Sequence, residues 1–216
     1  MQNPSQTNIV ELLDHLQLTS APVDPRLLRK LSDLPPGDLN KVEKLWPQIP
    51  VTRRKQILSY LLDIHDTDML MDFTPIALFT IHDALPDVRA ASVEIFKEAT
   101  DPKIAEILLQ LLRHDPAEKV RLAAAKSLAG FVYLSEIDEL DAVHSQQIQD
   151  CLIELFQNSE SPVLQHRCLE ALGYSSREEL VDLIQSRYDT HERAWLVSSL
   201  IAMGRSLDER WEPHVL

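Results

Sequence analysis

Apolar residues recur along most of this chain at intervals of three and four. Ile104, Ile107, Leu108, Leu111 and Leu112 keep the i, i+3, i+4, i+7, i+8 order that lays one apolar stripe along an α-helix. Ile148, Cys151, Leu152, Leu155 and Phe156 repeat it, and Leu180, Leu183, Ile184 and Tyr188 follow less strictly. Between these stripes lies a second kind of segment, best seen from Asp115 to Leu128: a turn, then a helix with alanines where a neighbour must come close. Its frame is Val120, Arg121 and Leu128, and the same frame fits Val88, Arg89 and Phe96, and Leu164, Gln165 and Leu172. Glu192, Arg193 and Leu200 fit more loosely, as do Arg53, Arg54 and Leu61. The second positions of these frames are separated by 35, 32, 44 and 28 residues. Helical-hairpin repeats have periods of roughly 30 to 47 residues. The pattern therefore predicts alternating A and B helices stacked into an all-α, right-handed solenoid of about four to five hairpins, with the B helices on the concave side.

Helix starts are predicted where a capping side chain precedes a proline or an apolar run. Asp24-Pro25, Asp101-Pro102 and Asp115-Pro116 each place a carboxylate before a proline at the first helical position, and Ser176 with Glu179 makes a capping box ahead of Leu180. An earlier A helix is expected from about Asp68 to Thr80. Prolines 35, 36, 47 and 50 punctuate the first third. Residues 1–50 are thus expected to form an irregular helical cap continuous with an array over 51–216. The 44-residue interval predicts an insertion over 131–145, docked on the array by its apolar members and carrying Glu136, Asp138, Glu139 and Asp141 on its rim.

Composition agrees with helices. Only 4 of 216 residues are glycine and aromatics make up 6%. The net charge of −13 opposes a polyphosphate partner, because nucleic-acid affinity rests on neutralising phosphates. It suits a basic protein partner instead. Cys151 and Cys168 sit among apolar helical neighbours and read as a reduced buried pair. The N-terminal residues are polar, and no apolar run approaches the ~20 residues a membrane span needs. A cytoplasmic, membrane-free protein is expected.

Three His-Asp dipeptides, His65-Asp66, His82-Asp83 and His114-Asp115, have the mixed nitrogen and oxygen donors of a metal-dependent phosphohydrolase. Their positions favour a structural reading. Each falls where one helix ends and a turn begins, and Asp83 and Asp115 precede Arg89 and Arg121 by six residues. A turn carboxylate repeated at that interval pairs with the arginine of the following helix, or with the next repeat's arginine, as a ladder that fixes repeat register. Ser159 and Gln165 replace both members at once in one repeat, and Arg187 occupies the acidic position before Arg193, so the ladder is expected to break there.

The Asp-x5-Arg pattern with valine before the arginine and alanine or leucine after it, as in DPAEKVRLAAAKSLAG and ALPDVRAASVEIF, resembles HEAT repeats over residues from about 50 to 216. FVYLSEIDEL, HRCLEALGYSSREELVDLI and AMGRSLDERW resemble an uncharacterised bacterial HEAT-repeat family, and the phycobilisome-lyase-like proteins share the repeat type. Deoxyhypusine hydroxylase is built of similar repeats and holds two irons through several His-Glu pairs. This chain has one such pair, His191-Glu192, too few ligands for that site.

The resemblance implies a non-enzymatic scaffold without a cofactor, and no catalytic or metal residues are assigned. Glu136, Asp138, Glu139, Asp141 and Trp195 are the expected partner contacts, and Asp83, Arg89, Asp115 and Arg121 the structural ladder. Relatives continue past the Arg-Trp segment, so Trp211, Val215 and Leu216 are expected to leave a half-built repeat that exposes apolar surface and self-associates. A metal-dependent hydrolase and a nucleic-acid-binding HEAT protein are the alternatives.

Overall fold

A computed structural model describes residues 4–18, 22–32 and 34–215, and among these there is no β-strand. Leu216, part of the expected half-built end, lies outside the described residues. The chain divides into two compact units, Met1–Phe96 and Lys97–Leu216.

The first unit holds α1 (Pro4–Gln17), α2 (Pro25–Leu28), α3 (Pro36–Leu45), α4 (Val51–Thr67), α5 (Thr74–Thr80) and α6 (Pro86–Ile95). Asp24 caps α2 by accepting the backbone N–H of Arg26 at 2.9 Å, with Pro25 at the first helical position. Helix α4 packs on α6, and α5 closes a hairpin with α6. Leu58, Leu61, Phe73, Ile76, Val88 and Phe96 are buried in that core. A buried hydroxyl pair, Thr80 with Ser92 at 2.6 Å, ties α5 to α6. The A helix expected from Asp68 starts only at Thr74. Asp68 and Asp72 instead accept the backbone N–H two residues on, from Leu70 and Thr74, and side-chain-stabilised turns of this kind compete with helix.

The second unit holds three hairpins: α7 (Pro102–His114) with α8 (Glu118–Glu136), α9 (Ala142–Asn158) with α10 (Pro162–Leu172), and α11 (Glu179–Tyr188) with α12 (Arg193–Ser206), followed by the single turn α13 (Glu212–Val215). Helices α8, α10 and α12 stack in that order. Asp101 caps α7 through the N–H of Lys103 at 2.9 Å. Two further caps carry no Asp-Pro signal: Asp141 accepts from Val143 and His144, and Ser161 from Leu164.

Two local expectations are corrected. Asp115-Pro116 lies ahead of α8 rather than at its start, since Asp115 accepts the N–H of Ala117 in a turn and the helix begins at Glu118. Ser176 and Glu179 make no capping box, and α11 starts at Glu179 without a side-chain cap. Residues 131–145, expected as an insertion docked on the array, comprise the end of α8, a short link and the start of α9. Helix α8 runs on to Glu136 and α9 begins at Ala142, so the extra length is mostly helix. The tight link is a Schellman turn: the N–H of Glu139 reaches the carbonyl of Leu134 at 2.8 Å, and that of Asp138 the carbonyl of Ser135 at 3.3 Å. Asp138 takes the left-handed conformation there, φ 59°.

At the far end, Trp211 is buried, while Leu207 stands 88% exposed with φ 52°.

Candidate functional site

The repeated turns share one hydrogen-bond design. Asp83, Asp115 and Ser159 each accept the N–H two residues on, from Leu85, Ala117 and Ser161. Six residues on, Arg89, Arg121 and Gln165 donate to the backbone carbonyls of Asp83, Asp115 and Ser159, each at 2.9 Å. The within-repeat rung is therefore side chain to carbonyl, not carboxylate to guanidinium. This corrects the expected break at Ser159 and Gln165: a hydroxyl and an amide make the same two bonds.

The carboxylate of Asp83 looks the other way along the stack. It accepts the indole N–H of Trp46 at 2.7 Å and a guanidinium N–H of Arg54, the arginine of the preceding hairpin. Its side chain is fully buried, and Arg54 is 13% exposed. An ion pair so enclosed is strongly destabilised when one partner is removed. It borders a groove of about 930 Å³ lined by Leu39, Trp46, Pro75, Leu78 and Phe79, with His82 exposed at the edge. With both its oxygens engaged, Asp83 has a structural use that competes with metal ligation. Among the described residues, no three His, Cys, Asp or Glu side chains converge as metal ligands.

Arg187 leaves the rung pattern. Its guanidinium lies 4.5 Å from the ring centre of Trp195 and 5.2 Å from that of Phe156, in cation–π range. Trp195 also meets His166 at 3.8 Å between ring centres and is only 7% exposed. It is thus a packing residue rather than the surface contact expected. Burial pushes the His166 imidazole below its ordinary value. Cys151 and Cys168 are buried and not joined by a disulfide, and burial pushes both thiols up.

Glu136, Asp138, Glu139 and Asp141 are all exposed around the α8–α9 turn. Asp141 is engaged as the α9 cap and by His144, whose other ring nitrogen lies 3.2 Å from Glu106. These two carboxylates hold the His144 imidazole above its ordinary value. Behind the turn, buried Gln149 links Ser135, Ser145 and Ser175.

A second surface was not foreseen. On the solvent face of the α8–α10–α12 stack, Tyr133 meets Tyr174 edge-on at 5.5 Å, and the guanidinium of Arg205 lies 5.1 Å from the Tyr174 ring centre. Arg205 also donates to the carbonyl of Glu170 at 2.6 Å. Tyr133 is 48% exposed, and Val163 on α10 and Val197 on α12 are exposed to a similar degree. A helical wheel drawn for α12 would have shown part of this strip, since Val197, Ile201 and Arg205 recur at intervals of four.

Residues 104–134, the α7–α8 hairpin, match the HEAT repeat family model. No curated protein matches the chain in sequence. Among solved structures, a designed armadillo repeat protein in complex with the peptide (KR)4 superposes with a TM-score of 0.55 at 13% identity, over 92% of this chain and 99% of that one. Human deoxyhypusine hydroxylase in complex with glycerol gives 0.41 at 16% identity, over 94% and 98%. The fold is an all-α solenoid of the HEAT and armadillo kind, an architecture that commonly serves as a protein-interaction scaffold. No described helix is long and apolar enough to cross a membrane.

Proposed function

We propose that the chain is a non-enzymatic scaffold that presents the solvent face of α8, α10 and α12 to a protein partner. The observation that carries this reading is the Tyr133–Tyr174–Arg205 row. It runs from α8 across the turn after α10 to α12 and places aromatic and guanidinium groups at the surface, side-chain types enriched in protein contacts. Residues 51–216 supply the repeat array in this reading and residues 1–50 its cap. The uncharacterised bacterial HEAT family remains the relative that the FVYLSEIDEL and HRCLEALGYSSREELVDLI segments favour.

The exposure of Glu136, Asp138 and Glu139 supports a second contact, with a basic segment. The fold neighbour's (KR)4 ligand is of that kind, and the net charge of −13 has the fitting sign.

Affinity capture from the native host with wild type and with Tyr133→Ala/Val197→Ala tests the scaffold. The expected result is a captured protein lost with the double variant. Equal capture by both proteins, or turnover of a phosphoester dependent on His82 and Asp83, refutes it.

A further inference from the structure

We infer that the groove beside Asp83 receives a proline-rich segment of a protein partner, in polyproline II form and with a basic residue at one flank. The groove belongs to the first unit, so the inference stands independently of the face on α8, α10 and α12.

The walls are apolar and drawn from two helices. Helix α3 and the turn after it supply Leu39 and Pro47, and α5 supplies Pro75, Leu78 and Phe79. Leu78 is 39% exposed, and Phe79 is half-buried, braced edge-on by the buried Trp46 ring at 5.8 Å. A volume of about 930 Å³ falls within the usual range of ligand sites, about 300–1,000 Å³.

The enclosed polar groups beside these walls are short of acceptors. Asp83 already serves three N–H groups, that of Leu85 on one oxygen and those of Trp46 and Arg54 on the other. Arg54 also lines the groove. Among the described residues, Asp83 is the one hydrogen-bond partner of its side chain, and its Nε is enclosed without an acceptor. A guanidinium carries five N–H donors, so Arg54 has donors left over. Its charge is balanced by Asp83. An uncharged oxygen therefore suits it better than an anion, which Asp83 and Glu43 would repel.

A proline-rich segment brings the matching inventory. Proline has no backbone N–H to leave unpaired. The polyproline II helix makes no internal hydrogen bonds, so its carbonyls remain open as acceptors. An α-helical occupant has spent its carbonyls on its own ladder. Three residues per turn set every third side chain on one edge, where it can meet Leu39, Leu78 and Phe79. The conformation is largely formed before binding, which lowers the ordering cost. At the rim, Glu43 is exposed on α3 and supplies the charge for a basic flank. Of its lysine neighbours on α3, Lys41 is paired with Asp38 and Lys44 is outside the lining.

The test is fluorescence anisotropy with the full chain and a labelled peptide of one Lys followed by three Pro-Pro-Leu units. Its Gly-Gly-Leu counterpart, a version with Glu in place of Lys, and an amphipathic helical peptide of about 15 residues are run beside it. The proline peptide is expected to bind saturably and about 10-fold more tightly than the glycine peptide, or ~1.4 kcal/mol. Leu78→Glu should abolish that binding, and Glu43→Lys should turn the preference from the Lys flank to the Glu flank. Both positions are exposed, so helix content by circular dichroism should stay unchanged.

No saturable binding of the proline peptide, or binding indifferent to Leu78→Glu, overturns the site. Equal binding of the glycine peptide, or tighter binding of the helical one, overturns the assignment of a proline-rich occupant. A flank preference that Glu43→Lys leaves unchanged overturns the role given to Glu43.

Discussion

Gly173 ends α10 against the backbone of α12, and replacing it with alanine measures how closely the two repeats are stacked. A Cβ at this position would lie 2.6 Å from the Cα of Ala202, 2.9 Å from its carbonyl oxygen and 3.2 Å from its carbonyl carbon, where ordinary contact begins at 3.4 Å. All three atoms are backbone, so no side chain can rotate away. Helix α12 must move by close to 1 Å or α10 must unwind its last turn. Ala202 and Met203 are buried, so movement there disturbs packed core. Overpacking of this kind costs about 1–3 kcal/mol. The backbone at Gly173 is right-handed helical, φ −55°, so alanine recovers a fraction of ~1 kcal/mol from its better helix propensity. The expected net loss is about 1–2 kcal/mol in urea unfolding followed by far-UV circular dichroism. Gly204 is the internal control. It sits inside α12 with nothing within 4 Å of where an alanine methyl would stand, so Gly204→Ala should stabilise by about 0.5–1 kcal/mol. A Gly173→Ala protein as stable as Gly204→Ala would refute the close-approach argument.

Asp83→Ala should cost about 3–5 kcal/mol in the same assay, because it leaves the Arg54 charge and the Trp46 N–H without their buried acceptor; a loss below ~1 kcal/mol would refute the node. Gln165→Ala should cost about 1 kcal/mol, the usual net value of one hydrogen bond, and a neutral substitution would show that the amide rung contributes nothing. His144 should titrate above 6.5 by NMR, and Asp141→Asn should lower its midpoint. Because its folded value is raised, its stabilising contribution is complete below 6.5 and is lost as pH rises through the folded value; a midpoint at or below 6.5 would refute the pairing.

Much of the repeat architecture is legible in the sequence because it rests on local patterns. The stripes at Ile104–Leu112 and Ile148–Phe156 fall on α7 and α9, and the Asp-Pro starts at Asp24 and Asp101 are true caps. Reading fails where two conformations share one signal. Asp115-Pro116 looks like a helix start, yet its carboxylate closes a turn one step earlier. The segment from Phe131 to Ser145 looks like an insertion because the interval between repeat frames is 44 residues there, and the frame spacing does not say that helix continues to Glu136. Ser159 and Gln165 look like a broken rung because residue identity does not specify geometry; the acceptor is a backbone carbonyl, which any donor of suitable length can reach.

The positions of the three tryptophans have a spectroscopic consequence. Trp46 belongs to the unit Met1–Phe96, and Trp195 and Trp211 to the unit Lys97–Leu216. Trp46 is hydrogen-bonded to a carboxylate, whereas Trp195 is wrapped by Phe156, His166 and Arg187. Their emission therefore reports two different environments in two different parts of the chain. Replacing Trp195 and Trp211 by phenylalanine leaves an intrinsic optical probe of the first unit alone, and replacing Trp46 leaves one of the second. The protein thus carries its own dyes for asking whether its two halves melt together or in sequence.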